Sequence, residues 1–417
     1  MKILWLSHFV PYPPKGGILQ RGYHLLKQTA KYHDVHLLAF QQDDLMKPLC
    51  STIDEGINDA KNHLNEFCDS VTILDIPSDR NKSKKYFTAL KSLFTRYPYN
   101  LNWLLSDEYA NQLIELINRE SFDFIHFDTI SLSPFKKYCG DIKCSLDHHN
   151  IESHMLIRRS GNEPNILKKL YYYQEGKRLE KYEKLFCPDF TFNFTCSDID
   201  TERLLKLSQT SKAHTIPNGV DTEYFKPDTS ITKHDRLLFI GTLSWYPNIE
   251  AVSYIANNIW PKLKLRNPSI EIDIVGANPP EEILDLADKD PNFRVHGFVD
   301  DILPFFHSAK CYVCPIKDGG GTKLKIIDAL SIGMAIAADE IACEGIKVSN
   351  QENVLFSTTA DEYVEAIEKI LNNDEFRINL QNNARTLAEN HYSYDSIGQQ
   401  LSNLFLTYSK DEETCVE

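Results

Sequence analysis

"KCYVCPIKDGGGTKLKIIDALSIGMAIAA", residues 310–338, sets two short apolar runs on either side of three glycines and a segment of helical period. The outer runs, "KCYVCP" (310–315) and "MAIAA" (334–338), have strand length. Apolar runs separated by a helix predict parallel strands, buried on both faces and joined by a crossover. Each glycine loses more backbone freedom on folding than other residues, so three in a row predict something close to the main chain. Amide N–H groups at a helix start, together with the positive end of the helix dipole, form an anion cradle. Gly320, Gly321 and Thr322 lie in this cradle, and Lys323 and Lys325 add the positive charge that suits a diphosphate. Asp328, one or two turns on, is placed to accept hydrogen bonds from a ribose diol. The spacing is not that of a Walker motif. The plain alternative is that both lysines merely solvate a helix.

The same alternation runs outward through the chain. In the first half, strands are predicted at 2–6, 35–40, 71–76, 122–127, 143–147 and 190–196, with amphipathic stretches at 18–32, 52–67 and 105–119 between them. Residues 150–185 read as one long helical region whose charged segment "RLEKYEKL" solvates an outer face. The stretch 213–235, with two prolines and an Asn-Gly pair, reads as a linker. Strands then resume at 236–241, 270–276, 293–297, 310–315 and 334–338. The prediction is two doubly wound α/β domains, 1–217 and 236–390, joined by 218–235, with a last helix in 391–417 packing back toward the first domain. Ligands of such sheets bind outside the carboxyl ends of the strands, and two facing domains would form one cleft.

Composition narrows the function. A chain of 417 residues is long for one core and predicts two or three domains. A net charge of −14 argues against nucleic acid as the partner. Ten scattered cysteines, several inside apolar runs, read as free thiols in a reducing cytoplasm. Cys311 and Cys314 form a lone CxxC with no second pair to close a zinc site. The opening apolar run is interrupted by Ser7, His8 and prolines, unlike a signal peptide, and no stretch reaches membrane-spanning length. The expected location is cytosolic or peripheral.

Further candidates lie where strands end. In "PYPPKGGILQRGYHLL", Gly16 and Gly17 sit where a helix begins, a place suited to an anion or a polar sugar. The pattern is not GxGxxG, and no acidic residue follows at the ribose spacing, so the stretch does not fit a dehydrogenase. In "LDHHNIES" (146–153) one histidine is expected to hydrogen-bond a substrate hydroxyl, against helix capping by Asn150 as the alternative. "TCSDID" (195–200) mimics a DxD metal site but reads more simply as a helix cap at Ser197-Asp198. In "FIGTLSWYPNIEA" (239–251) the turn at Gly241 and Thr242 is placed to hold a phosphate. Gly276 in "IVGAN" and Phe298 in "VHGFVDD" mark strand ends where a planar base or phosphate can approach.

In succession, "IPNGVDTEYFKP", "FIGTLSWYPNIEAV", "IDIVGANPP", "VHGFVDDILPFFHSAKCYVCPIKDGGGTKLKIIDALSIGMAIAA" and "ACEGI" resemble glycosyltransferase family 4, on the GT-B fold. The resemblance covers nearly the whole chain, is densest over 213–346, and points to a triple-glycine subgroup. It implies a hexosyltransferase-type enzyme that moves a sugar with retention from a UDP- or GDP-linked donor, held by the second domain. The acceptor, a glycan or lipid-linked sugar of surface polysaccharide synthesis, is held by the first. It implies no metal and no cofactor. Residue by residue, Gly16 and Gly17 match the first-domain glycine loop, His149 the histidine near the transferred sugar, and Gly241 and Thr242 the second-domain turn. Lys325 matches the basic residue of the donor motif, and Asp328 its ribose-binding carboxylate.

Two departures stand out. Gly320 replaces the first of two glutamates, and "GTLSWYPN" lacks an arginine that many members carry. They motivate the alternative of a non-catalytic nucleotide-sugar or glycan-binding subunit. A nucleotide-sugar 2-epimerase on the same fold fits the motifs less well. Finally, 82–97 has basic and aromatic residues at helical spacing, suited either to peripheral membrane contact or to domain packing.

Overall fold

The computed structural model describes residues 1–410 except 16, 80–87, 93, 209–211 and 319–321. The chain divides into two compact units, Met1–Pro217 with Ile397–Glu417, and Asn218–Ser396.

The first unit is built on seven parallel strands: β1 (Lys2–Ser7), β2 (Asp34–Gln41), β3 (Ser70–Asp75), β4 (Phe124–Phe127), β5 (Lys143–His148), β6 (Phe192–Thr195) and β7 (Ala213–Thr215). Their order is β3-β2-β1-β4-β5-β6-β7. β4 and β6 are buried at every residue, the pattern of central strands covered on both faces. Trp5 fixes the register, opposite Leu37 on one side and His126 on the other. The stretch read as a linker begins with an edge strand, β7, paired to β6. Three residues are too few for a periodic signal. The last helix, Tyr394–Lys410, adds its residues from Ile397 onward to this unit. Phe405 packs on Phe124 and Phe192 at 5.3 and 5.5 Å, and Ser402 bonds His33 at 2.9 Å.

The long helical region is a hairpin of two helices, Glu152–Asn162 and Ile166–Phe186, broken at Glu163-Pro164. Proline disfavours a helical residue before it and supplies no N–H, and Asn165 caps the second helix by accepting from the amides of Leu167 and Lys168 at 3.1 Å. A side chain at Gly176 would come within 2.8 Å of Ile157, so this glycine lets the two helices close. The charges of "RLEKYEKL" do not all face solvent. Glu183 is buried against Ser153, and burial pushes its carboxyl up to about 8.

The second unit carries six parallel strands: β8 (His234–Ile240), β9 (Glu271–Val275), β10 (Phe293–His296), β11 (Ala309–Cys314), β12 (Ala335–Ala338) and β13 (Leu355–Phe356). Their order, β10-β9-β8-β11-β12-β13, reverses direction between β8 and β11. Cys311 and Cys314 are buried free thiols on β11. The helix after the glycine stretch spans Leu324–Ser331 and sends Ile326, Ile327, Ala329 and Leu330 into the core.

Candidate active site

In the second unit the strand order reverses between β8 and β11, whose carboxyl ends mark the position that forms a ligand crevice in such sheets. Lys325 reaches this point from the helix after β11. Its Nζ donates to Asn248 Oδ1 at 2.6 Å, and Asn248 Nδ2 donates to the Thr242 carbonyl at 2.8 Å. The ammonium also lies 4.9 Å from the centre of the Phe239 ring. Burial lowers the Lys325 pKa to about 8, and the nearby Lys323 pushes the same way. Asp328, one turn further, is raised to about 7 by burial, opposed by Lys325. Thr322 Oγ1 is buried with no hydrogen-bond partner among the described residues. A half-buried cation, a carboxyl raised toward neutrality and an unsatisfied hydroxyl within seven residues are costly without a ligand.

The glycines divide into groups. A side chain at Gly241 would strike Lys325 Nζ and come within 2.7 Å of Asn248 Nδ2; one at Gly276 would overlap the Gly241 carbonyl. Their amides already donate, Gly241 to Val275 and Gly276 to His296, at 2.9 and 3.1 Å. These two glycines therefore make room for protein groups, a correction to the expectation that a phosphate or base approaches their main chain. Gly297 has open space where a side chain would stand, and the Phe298 beside it is exposed. Thr242 is exposed at the same strand ends. Gly320 and Gly321 lie outside the described residues, as does Gly16; Gly17 opens the helix Gly17–Ala30.

In the first unit the strand order reverses between β1 and β4, and His8 follows β1. Its Nδ1 pairs with Asp128 Oδ1 at 2.9 Å, just beyond β4. Asp128 also accepts from Ser7 Oγ at 2.7 Å and from the His8 amide at 3.1 Å. His149 follows β5, with its ring centre 5.8 Å from that of His8. Burial, reinforced by Arg21, lowers the His149 pKa to about 3, so the imidazole is neutral at ordinary pH. Its Nε2 is buried and has no hydrogen-bond partner among the described residues. The helix cap is Ile151, not Asn150, which removes the capping explanation for this histidine pair. His148 is occupied differently: Asn193 donates to the Cys187 carbonyl, which leaves its Oδ1 to accept from His148 Nε2 at 3.1 Å. His8, Asp128 and His149 bring three ligand atoms within 4.8 Å of one another, a set able to hold a cation. At the DxD-like stretch, Ser197 Oγ caps the Asp200 amide and Asp200 pairs with Arg203 at 2.9 Å. That is a helix start.

Three site elements are not among the sequence candidates: the His8–Asp128 pair, Asn248, and the Arg21–Asp147 pair. Arg21 binds Asp147 with two bonds of 3.0 and 2.9 Å, and its Nη1 reaches the carbonyls of Ile216 and Pro217. A single charged residue among Leu19, Leu25 and Leu26 on the inward side of the helix was the available signal. Asp128 and Asp147 ended strands like many other polar residues, and only the sheet order pairs them with His8 and Arg21.

Comparison with known proteins fits this geometry. The family described as "Glycosyl transferases group 1" matches residues 234–373, which lie within the second unit. An uncharacterised 44.6 kDa protein in the cps region of Klebsiella pneumoniae is 24% identical over 378 residues, covering 85% of this chain and 87% of its own. A phosphatidyl-myo-inositol mannosyltransferase of Mycolicibacterium smegmatis is 28% identical over 209 residues, 48% of this chain and 53% of its own. The crystal structure of HepE from Anabaena in complex with UDP aligns over 98% of this chain and 100% of its own, with TM-score 0.62 and 14% identity. The fold is GT-B.

Proposed function

We propose that this chain is a retaining glycosyltransferase that moves a hexose from a UDP- or GDP-linked donor to a glycan or lipid-linked acceptor in surface polysaccharide synthesis. The observation that carries the reading is Lys325, a half-buried ammonium held by Asn248 at the strand-order reversal of the matched domain. There it would offset the charge that develops on the departing diphosphate, the kind of electrostatic stabilisation worth most in a water-poor site. Thr322, Lys323 and the amides of 319–321 would complete the phosphate contacts, without a metal or other cofactor. Asp328 would accept from the ribose diol, and Phe298, exposed beside the open Gly297, would carry the base.

In the first unit, the neutral His149 offers one ring nitrogen to a sugar hydroxyl. The HepE structure, of the same fold, holds UDP, and the Klebsiella relative is described by its cps region; both favour a nucleotide donor and a polysaccharide product. The test is a panel of UDP- and GDP-sugars incubated with the protein and candidate acceptors, with release of nucleotide measured. Release with one donor supports the reading. Tight nucleotide binding without release from any donor would instead indicate a binding subunit.

A further inference from the structure

The helical hairpin of the first unit turns an apolar face outward. On its second helix Ile166, Leu167 and Leu170 are 71%, 74% and 61% exposed, and Tyr173 continues the same face. These positions fall at i, i+1, i+4 and i+7, one stripe of a helix. A second segment supplies more of the same surface: Leu90 and Phe94 are 60% and 86% exposed. The two segments are tied together. Arg178 donates to the carbonyls of Ser92, Thr95 and Tyr97 at 2.8, 2.6 and 3.0 Å, and Glu175 accepts from the Tyr99 amide at 2.7 Å. Leu170 lies eight residues before Arg178, about 12 Å along the helix, so the second segment is held on the same helix that carries the stripe.

Exposed cations lie on the same hairpin and segment. Lys91, Arg96, Arg159, Lys168 and Lys169 are all exposed, and none joins an ion pair among the described residues. They cluster on a chain whose net charge is −14. Scattered single apolar residues are ordinary on a protein surface, but a stripe of four on one helix face with Lys168 and Lys169 among them fits a surface that meets an anionic, apolar partner.

We propose that the hairpin face around Ile166, Leu167 and Leu170, with Leu90 and Phe94, docks the first unit on an anionic lipid bilayer. The charge complementarity selects this occupant: lysines and arginines meet lipid headgroups while the leucines and phenylalanine enter the acyl boundary. The hairpin is held rigid from behind by the Ser153–Glu183 contact and the Gly176–Ile157 approach, so the face is presented without a folding step. The inference deepens the reading of a lipid-linked acceptor and rests on it for its purpose, but not for its test.

The test is flotation of the full chain with phosphatidylcholine vesicles, with and without phosphatidylglycerol, in low and high salt. Binding is expected only to the anionic vesicles and is weakened by salt. Leu167→Glu with Leu170→Glu, or Lys168→Glu with Lys169→Glu, should reduce it at least roughly tenfold. Leu265→Glu, at an equally exposed leucine of the second unit, should leave it unchanged. No binding by the native chain, or binding indifferent to both hairpin variants, overturns the proposal. So does a hairpin variant that splits a dimer in light scattering while vesicle binding stays intact, since the face would then join two copies. Nucleotide release with a water-soluble acceptor is measured in parallel. Its failure beside intact flotation counts against the transferase reading alone.

Discussion

Replacing Lys325 with methionine keeps most of the side-chain volume against Phe239 and removes the ammonium. A hydrogen bond to a charged group contributes about 1.5–3 kcal/mol, so UDP binding at pH 7 should weaken roughly 10- to 150-fold. The pKa of about 8 adds a second signature. At pH 7 about nine in ten Lys325 side chains carry the charge, and at pH 9 about one in ten. A bound diphosphate favours the charged form, so above pH 8 binding must take up a proton. The native protein should therefore lose up to about tenfold in affinity per pH unit above that point, while Lys325→Met should not. Calorimetry at pH 7 and pH 9, in buffers of different ionisation enthalpy, measures both affinity and proton uptake. Equal affinities at pH 7, or a gap that does not narrow by pH 9, would refute the diphosphate role. A melting curve for the variant separates loss of the contact from loss of the fold.

Asp328, raised to about 7, accepts best from a ribose diol when ionised, so UDP affinity should rise between pH 6 and pH 7.5. Asp328→Asn should flatten that limb and leave pyrophosphate binding unchanged, and equal sensitivity of pyrophosphate would exclude the diol contact. His149→Ala should lower turnover more than donor affinity, and because its pKa lies near 3 its contribution should not vary from pH 6 to pH 9; unchanged turnover would remove it from the site. Arg21→Leu leaves Asp147 buried without its partner, a loss of about 3–5 kcal/mol. The first unit should then melt roughly 6–20 °C lower, and a shift under a few degrees would show that water reaches the carboxylate.

The apolar strand runs of both units were legible because strands buried on both faces carry unbroken apolar residues, as in "KILWL" and "KCYVCP". β7 and β13 were missed: three and two residues carry no period, and only pairing with a neighbour makes them strands. Pro164 marked the hairpin turn, but helical periodicity on both sides obscured it. Lys325 and Asp328 were singled out by their spacing after the glycines. Their shifted pKa values were not legible, since burial depends on the closed sheet. Gly241 and Gly276 were read as openings for a ligand, whereas the structure fills both with protein groups. Sequence marks where a side chain is missing, not what occupies its place. The His8–Asp128 pair needed the strand order, because its partners lie 120 residues apart.

The proposed reaction transfers a sugar from a nucleoside diphosphate with its anomeric configuration kept. Proton NMR of the anomeric signal, followed from donor to product with the donor selected by the release panel, measures transfer and stereochemistry together. The donor signal should be replaced by a product signal of the same anomeric configuration, at a rate cut at least roughly tenfold by Lys325→Met. An inverted product would contradict retention, and a native rate unaffected by that substitution would contradict the site.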